Sequence, residues 1–287
     1  MALCYNTKKK KEGNHMGKHI LLINDLPGYG KVALAAMMPV LAHLGHHLYN
    51  LPTALVSNTL DYGKFEILET TDYMKKSLAV WKELGFSFDA ISTGFIVSGE
   101  QAELIASYCG EERKRGTYIF VDPIMGDEGH LYNGVPDSTV DAMRRLVSHA
   151  DCTVPNYTEA ALLSGVPYRE EGTSEREMRK IIDAIRRIGA ASVVVTSAIV
   201  EGQHAVAGYD EVRGNYFLLP FESIPVRFPG TGDIFSAVLL GHLENGMPLR
   251  EAVQKAMDTV AALISANKDN ADKFKGIPLE QYLEVIS

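Results

Sequence analysis

Short apolar runs alternate with amphipathic segments along most of the chain. The first apolar run, residues 19–24, predicts a strand, and the amphipathic stretch of residues 32–44 predicts the helix that follows it. This order is typical of an α/β fold with a mainly parallel central sheet flanked by helices on both faces. Further buried strands are predicted at residues 90–94, 118–122, 152–154 and 192–196.

The later part of the chain adds a regular helix and a hairpin. Apolar side chains recur every three or four positions over residues 175–188, which predicts a helix with one core-facing side, and Gly189 is suited to ending it. Apolar runs at residues 204–207 and 215–219 flank a polar turn and predict a C-terminal antiparallel hairpin. Residues 51–66 are polar and rich in Thr and Asn, and predict a small lid over a site.

Length, charge and cysteine content limit which domain organisation and which partners the protein can have. A chain of 287 residues with 46% hydrophobic composition predicts one domain, residues 18–287, after a solvated tail, residues 1–17. The formal net charge of -8 argues against nucleic acid or an anionic membrane as a partner. No apolar run approaches the roughly 20 residues that cross a bilayer. Three widely spaced cysteines argue against disulfides and favour a cytoplasmic protein.

The sequence Gly230-Thr231-Gly232-Asp233 precedes a small apolar run that predicts a helix. Two glycines let the backbone approach a ligand closely, and the free N–H groups of a helix N-terminus suit a phosphoryl group. Asp233 lies where a carboxylate can accept the proton of an attacking alcohol. The alternative interpretation is an ordinary helix N-cap, because Asp is a favoured capping residue.

Further segments occur in a fixed order, and together they resemble one superfamily. They are Asp-Pro-Ile-Met-Gly-Asp at residues 122–127, Pro155-Asn156 with Glu159, a strand-like run ending in Thr-Ser at residues 193–197, and the spacing from Gly45 through Ser57-Asn58 to Tyr62-Gly63. With Gly230 to Asp233 taken as the GTGD signature, the chain from residue 18 to residue 287 resembles the pyridoxal (vitamin B6) kinases of the ribokinase-like superfamily.

The resemblance implies a ribokinase-like fold and a reaction. That reaction is ATP-dependent phosphorylation of the hydroxymethyl group of pyridoxal, pyridoxamine or pyridoxine to the 5'-phosphate. Asp233 would act as general base, while Gly230, Thr231 and Gly232 would hold the transferring phosphoryl group. The resemblance also implies Mg²⁺ and a homodimer, and leaves a requirement for K⁺ open.

The resemblance assigns Asp122 and Glu159 to the metal and Asn156 to the nucleotide. Their oxygen atoms are the donors that Mg²⁺ prefers. The spacing of Asn156 and Glu159 is equally typical of a helix capping box, so the residues alone leave that alternative open.

Four further residues are assigned to the nucleotide by resemblance. Asp127 and Tyr132 lie in a glycine-flanked loop that reaches towards the γ-phosphate in similar kinases, and the alternative is a solvated loop. Thr196 and Ser197 follow a predicted strand and would contact phosphate, because ligands of α/β folds gather at the carboxyl ends of strands. The alternative is a hydrogen bond to the backbone at the strand end.

The acceptor side departs from the family pattern. Pyridoxal kinases often carry Ser-His where this chain has Asn24-Asp25, and Tyr where it has Phe95; their Ser-Asn-His-Thr segment begins here at Ser57 but lacks the His. Asn24, Asp25 and Ser57 are expected to hydrogen-bond the acceptor, and Phe95 to stack on it.

Other functions are possible alternatives to a vitamin B6 kinase. Gly28-x-Gly30 followed by Ala33 matches a loose dinucleotide-binding pattern, but no acidic residue follows at the end of the second predicted strand. The chain has no Walker A sequence. The remaining alternatives are a hydroxymethylpyrimidine (phosphate) kinase, then a sugar kinase, and a module that binds a nucleotide or vitamin B6 without catalysis.

Overall fold

The computed structural model describes residues 17–132 and 135–286. Apart from Gly17, the expected tail of residues 1–17 lies outside the described residues, as does Cys4. The strands are β1 His19–Pro27, β2 His47–Val56, β3 Ile67–Glu69, β4 Ala90–Thr93, β5 Tyr118–Val121, β6 Gly126–Asp127, β7 His130–Leu131, β8 Cys152–Thr153, β9 Ser192–Val200, β10 Gln203–Asp210 and β11 Asn215–Pro220. The helices are α1 Ala33–His43, α2 Thr71–Glu83, α3 Gly99–Lys114, α4 Ser138–Val147, α5 Tyr157–Ser164, α6 Glu175–Ile188, α7 Thr231–Glu244 and α8 Leu249–Asn267, with 3-10 turns at Leu60–Tyr62, Leu279–Gln281 and Leu283–Val285.

Nine strands form one sheet in the order β11-β10-β9-β8-β5-β4-β1-β2-β3. The pairs from β2 through β1, β4, β5 and β8 to β9 are parallel, whereas β3, β10 and β11 pair antiparallel at the two edges. Strands β6 and β7 form a separate two-stranded flap. Parallel neighbours place their carboxyl ends at one edge of the sheet, so polar residues that follow different strands are brought together there.

Side chains of β1 alternate between two hydrophobic cores. Leu21 and Ile23 face a core that is completed by helices α2 to α6, and Ile20 and Leu22 face a core completed by α1, α7 and α8. All four are fully buried. A strand covered by helices on both faces is a continuous apolar run, and this is why the first strand was recognisable in the sequence.

The predicted fold class is confirmed, with differences in several boundaries. Helix α6 has the predicted bounds, because Ser174 caps its start and Gly189, at φ 140°, ends it. The hairpin is present as β10 and β11. The lid was predicted too long: residues 51–56 belong to β2, and only the connection of residues 57–66 stands apart from the sheet. No helix in the described part of the chain is both long and apolar enough to span a membrane.

Candidate active site

The start of α7 lies at the carboxyl edge of the sheet. Gly230 precedes the helix in the left-handed conformation, at φ 83°, and a Cβ there would collide with the carbonyl oxygen of Lys31. At Gly232, by contrast, no described atom other than those of its chain neighbours and of its own helix backbone lies within 4 Å of the position of a Cβ. Gly230 is therefore required by the fold itself, whereas Gly232 leaves its backbone open to close approach from outside.

Asp233 is the third residue of α7, and Gly230 is the N-cap. The capping alternative for Asp233 is therefore wrong. Its carboxylate accepts a hydrogen bond from Asn24 Nδ2 at 3.3 Å and another from the backbone N–H of Ala33. Burial raises the pKa of Asp233 to about 6, and these hydrogen bonds oppose the rise by favouring the charged form. The carboxylate is ionised above that pH and is held in one place.

Four carboxyl groups gather at this edge without a compensating cation. Asp25, Asp122, Glu159 and Asp233 form no ion pair with any lysine or arginine of the described residues. Burial and the charge of Asp233 raise the pKa of Asp25 to about 7. Burial raises the pKa of Asp122 to about 8, despite a 2.8 Å hydrogen bond that its carboxylate accepts from Ser236.

The donor set of these carboxylates fits a divalent cation. Hard carboxyl oxygens are the ligands that Mg²⁺ prefers, and a cation bound beside them would favour the charged form of groups whose pKa values are raised in its absence. Among the described residues, however, no three acidic, histidine or cysteine side chains converge closely enough to hold a metal alone. A Mg²⁺ ion at Asp122 would therefore complete its coordination with water and phosphate oxygens, as is usual for kinases.

Asn156 and Glu159 form the capping box at the start of α5. Asn156 Oδ1 accepts from the Glu159 N–H at 2.9 Å, and Glu159 Oε2 accepts from the Asn156 N–H at 2.9 Å. Glu159 Oε1 also accepts from the N–H of Met125 at 3.0 Å. Burial and the charge of Asp122 raise the pKa of Glu159. The capping interpretation is confirmed, while the metal role of Glu159 and the nucleotide role of Asn156 stay predictions.

Of the other two expected nucleotide contacts, Asp127 lies in the flap of β6 and β7, and Tyr132 directly follows it. Asp127 accepts from the N–H of Glu128 at 2.9 Å, and the N–H of Tyr132 donates to the Met125 carbonyl at 3.0 Å. Asn156 Nδ2 donates to the carbonyl of Gly126 at 2.8 Å, so the flap is tied to α5. Asp127 in the flap and Tyr132 directly after it are thus both engaged in hydrogen bonds.

Thr196 and Ser197 do not end their strand. Strand β9 continues to Val200, and its pairing with β10 is irregular opposite these two residues. Ser197 has φ 52°, which is strained for a residue with a side chain. A bulge of this kind redirects side chains beside an active site, and it keeps Thr196 and Ser197 at the carboxyl edge although the strand runs on.

The expected acceptor residues have different surroundings. Asp25 lies at an irregularity in the pairing of β1 with β2, and Phe95 follows β4 and is half-buried. The Ser57 hydroxyl donates to Asn58 Oδ1 at 2.7 Å and accepts from the Glu66 N–H at 2.9 Å. Ser57 therefore closes the turn of the lid, and its hydroxyl is already engaged within the protein.

Three contributors to the site were not found in the sequence. Ser236, which donates to Asp122, is one small residue within an apolar helix and gave no signal. Ala33 has φ 47°, and a strained backbone is not visible in residue types. Gly94 directly follows β4, and a glycine at a strand end is a signal that could have been used.

The chain matches a known protein family. The family described as phosphomethylpyrimidine kinase matches residues 36–277, which cover most of the site. The chain belongs to this family. The chain is accordingly an ATP-dependent kinase, and the observed sheet and flanking helices are those of the ribokinase-like superfamily to which pyridoxal kinases belong.

Individual proteins resemble the chain over long stretches. Pyridoxal kinase of Arabidopsis thaliana is 31% identical over 68% of this chain and 64% of its own length. Pyridoxine/pyridoxal/pyridoxamine kinase of Bordetella avium is 30% identical over 79% of this chain and 77% of its own. Hydroxymethylpyrimidine/phosphomethylpyrimidine kinase of Rhizobium meliloti is 29% identical over 83% and 86%.

Two solved structures superpose closely on the chain. A Bacteroides thetaiotaomicron protein assigned to the phosphomethylpyrimidine kinases, in a crystal form with pyridoxal, has a TM-score of 0.89 and 32% identity over 94% of this chain and 96% of its own. Pyridoxal kinase of Lactobacillus plantarum has a TM-score of 0.84 and 30% identity over 94% and 96%. The fold therefore agrees along almost the whole chain.

Proposed function

We propose that the protein transfers the γ-phosphoryl group of ATP to the hydroxymethyl group of a vitamin B6 vitamer, with Asp233 as general base. One observation carries this proposal: the Asp233 carboxylate is fixed by Asn24 and Ala33 directly behind the Gly230 turn. A base and a phosphoryl-binding turn are thereby adjacent, which is what in-line transfer to an alcohol needs. The relatives named for pyridoxal kinase activity and the structure that contains pyridoxal support the acceptor class.

In this proposal, different residues contribute to different steps of phosphoryl transfer. Backbone N–H groups of Thr231 and Gly232 face the charge that builds on the phosphoryl group. Asp233 takes the proton of the hydroxyl as its oxygen attacks phosphorus. Mg²⁺, when bound, neutralises phosphate charge, and Asp122 is the residue that we propose would hold it. Since the pKa of Asp233 is about 6, activity is expected to rise with pH through that value.

The remaining nucleotide and acceptor assignments belong to the same proposal. Thr196 and Ser197 reach the phosphates from the bulge of β9, and Asp127 and Tyr132 reach them from the flap. Asp25 and Phe95 border the acceptor at the ends of β1 and β4. The homodimer, the K⁺ requirement and a cytoplasmic location stay predictions.

A second acceptor is favoured by a specific observation. The matching family is described by phosphomethylpyrimidine, and the Rhizobium meliloti relative is named for hydroxymethylpyrimidine. Both acceptor classes carry a hydroxymethyl group on a nitrogen heterocycle, so the same base would serve either. ADP release from Mg–ATP, measured with each B6 vitamer and with hydroxymethylpyrimidine in turn, separates the two. A protein that only binds nucleotide or vitamin B6 would release ADP with none of them.

Replacement of Asp233 by Asn tests the general base. The substitution keeps the size and a hydrogen-bonding oxygen but removes the proton acceptor, so kcat should fall by about 10² to 10⁴. That loss corresponds to roughly 3 to 5 kcal/mol of transition-state stabilisation. Nucleotide affinity should survive, because the backbone of Gly230 to Gly232 is unchanged.

The control is Asp141→Asn, which changes an exposed carboxylate of α4 that pairs with Arg144. It should leave kcat unchanged. An Asp233→Asn protein that turns over within about threefold of the parent, below the usual worth of a positioned base, would end the general-base assignment.

A further inference from the structure

The side-chain amide of Asn24 is fully engaged within the protein. It is 2% exposed, and its Oδ1 accepts from the N–H of Asp25 at 3.0 Å and of Phe95 at 2.8 Å. Because both partners are N–H donors, the oxygen and nitrogen of the amide cannot be exchanged. Its Nδ2 therefore points the other way, to Asp233 Oδ1 at 3.3 Å and to the sulfur of Met37 at 3.6 Å.

This arrangement leaves Asn24 no hydrogen-bonding position for an acceptor. An amide offers two lone pairs and two N–H groups, and all four have protein partners here. The amide that was expected to contact the acceptor is bonded instead to Phe95 after β4 and to Asp233 of α7. Asn24 thereby joins Phe95, which follows β4, to Asp233 of α7.

The surrounding backbone is shaped around the same contact. A Cβ at Gly94 would overlap the Asn24 amide, so glycine makes room for it at the end of β4. Ala33 is strained at φ 47°, and its N–H donates to Asp233. Strain of this kind persists only where the surrounding structure imposes it. Two donors from different elements, β1 and α1, therefore converge on one carboxylate of α7.

We propose that Asn24 is the positioning residue of Asp233, aiming its carboxylate at the acceptor hydroxyl through Nδ2, and that Asn24 does not contact the acceptor itself. This inference rests on the proposed role of Asp233 as base. The other charged groups facing Asp233 are Asp25 at the β1 irregularity and Asp122 after β5, both acidic. Loss of the Asn24 donor leaves the carboxylate with acidic neighbours and one hydrogen bond fewer.

The first test measures kcat and KM of Asn24→Ser and Asn24→Asp across pH 5.5 to 9.5. A carboxylate that loses a donor, or gains a like charge beside it, binds its proton more tightly, so the acid limb of kcat/KM should move up by about one pH unit or more. At pH 6.5 kcat should fall about tenfold or more, because the base is less ionised and less well aimed. The KM for the B6 vitamer should stay within about threefold.

Asn245→Asp is the matched control. Asn245 lies at the other end of α7, where its Nδ2 donates to the Leu44 carbonyl at 3.2 Å, and its replacement should leave the acid limb in place. A KM for the vitamer that rises more than about tenfold, with an unmoved acid limb, would show uniform acceptor binding by Asn24 and overturn the proposal.

The second test needs no turnover. Melting temperatures of the parent, Asn24→Ser, Asp233→Asn and the double variant form a thermodynamic cycle, measured at pH 5 and pH 8. Coupling between the two positions that is larger at pH 8 is expected, because the contact favours the ionised carboxylate. Equal effects at both pH values, without coupling, would overturn the inference. If the parent phosphorylates no acceptor, the proposed function fails, yet this cycle still decides the contact.

Discussion

At the scale of single residues, a buried carboxyl group at the carboxyl edge of the sheet lowers the free energy of unfolding. The pKa of Asp122 is about 8 in the folded protein, against an ordinary value of 3.8. Between those pH values the folded state therefore binds more protons than the unfolded state, and the free energy of unfolding falls as pH rises. Burial of Asp122 thus weakens the fold increasingly as pH rises from 3.8 towards about 8.

Asp122→Asn should for this reason stabilise the protein in alkaline buffer. With EDTA present, the melting temperature of the variant should exceed that of the parent by more at pH 8.5 than at pH 5, because the cost of burying Asp122 grows as pH rises from its ordinary pKa of 3.8 towards the folded value of about 8. The same side-chain oxygen can still accept from Ser236. Exposed Asp141→Asn should show no such pH-dependent gain. A variant that melts below the parent at both pH values would contradict the linkage.

At the scale of elements, the start of α7 contains two glycines with different roles, Gly230 at the N-cap and Gly232 in the first turn. Gly230 has φ 83° and lies against the carbonyl of Lys31, whereas Gly232 has open surroundings. Gly230→Ala should lower the melting temperature sharply. Gly232→Ala should fold with nearly parental stability but lose affinity for ATP, because the methyl group blocks close approach to phosphate.

Thermal melting and nucleotide titration of the two variants provide the comparison, each glycine serving as control for the other. Equal loss of stability in both would show that the turn is needed only for folding. Parental ATP affinity in Gly232→Ala would place the phosphates elsewhere.

Elements with local signals were predictable from the sequence, and elements defined by pairing were not. Helix α6 carries a capping serine, an apolar stripe and a terminal glycine, so its bounds followed from the chain alone. Strand β2 contains Pro52 and polar residues, which made part of it look like a lid. The bulge at Thr196 and Ser197 depends on register with β10, which no local pattern encodes.

At the scale of the whole molecule, motif order predicted which residues share the carboxyl edge, but not what each one touches. Asn24 was expected at the acceptor because it follows the first strand; its contact with Asp233 joins positions 209 apart in the chain. The reach of Glu159 to Met125 likewise depends on how α5 meets the flap. Such contacts are set by tertiary packing, which a single sequence does not display.

Because the site draws on most of the sheet, its ligands should stabilise the entire fold. Mg–ADP at about 100 times its Kd should add about 2.7 kcal/mol to the free energy of unfolding. For a chain of 287 residues that is a rise of roughly 4 to 5 °C in melting temperature. The parent and Asp233→Asn should show it alike, since Asp233 acts on the acceptor.

ADP with EDTA should give a smaller rise, because the acidic edge then repels the phosphates. The same rise with and without the metal would contradict a divalent cation at Asp122.

The last helices also bear on how the chain is made. The core that contains Ile20 and Leu22 is closed by α7 and α8, which are translated long after β1. While a ribosome is still extending the chain, one face of the nascent sheet has only α1 to cover it. Exposed apolar surface of that kind is aggregation-prone and is what chaperones bind. A premature stop before residue 231 would therefore yield a sheet with a bare face rather than a smaller, inactive kinase.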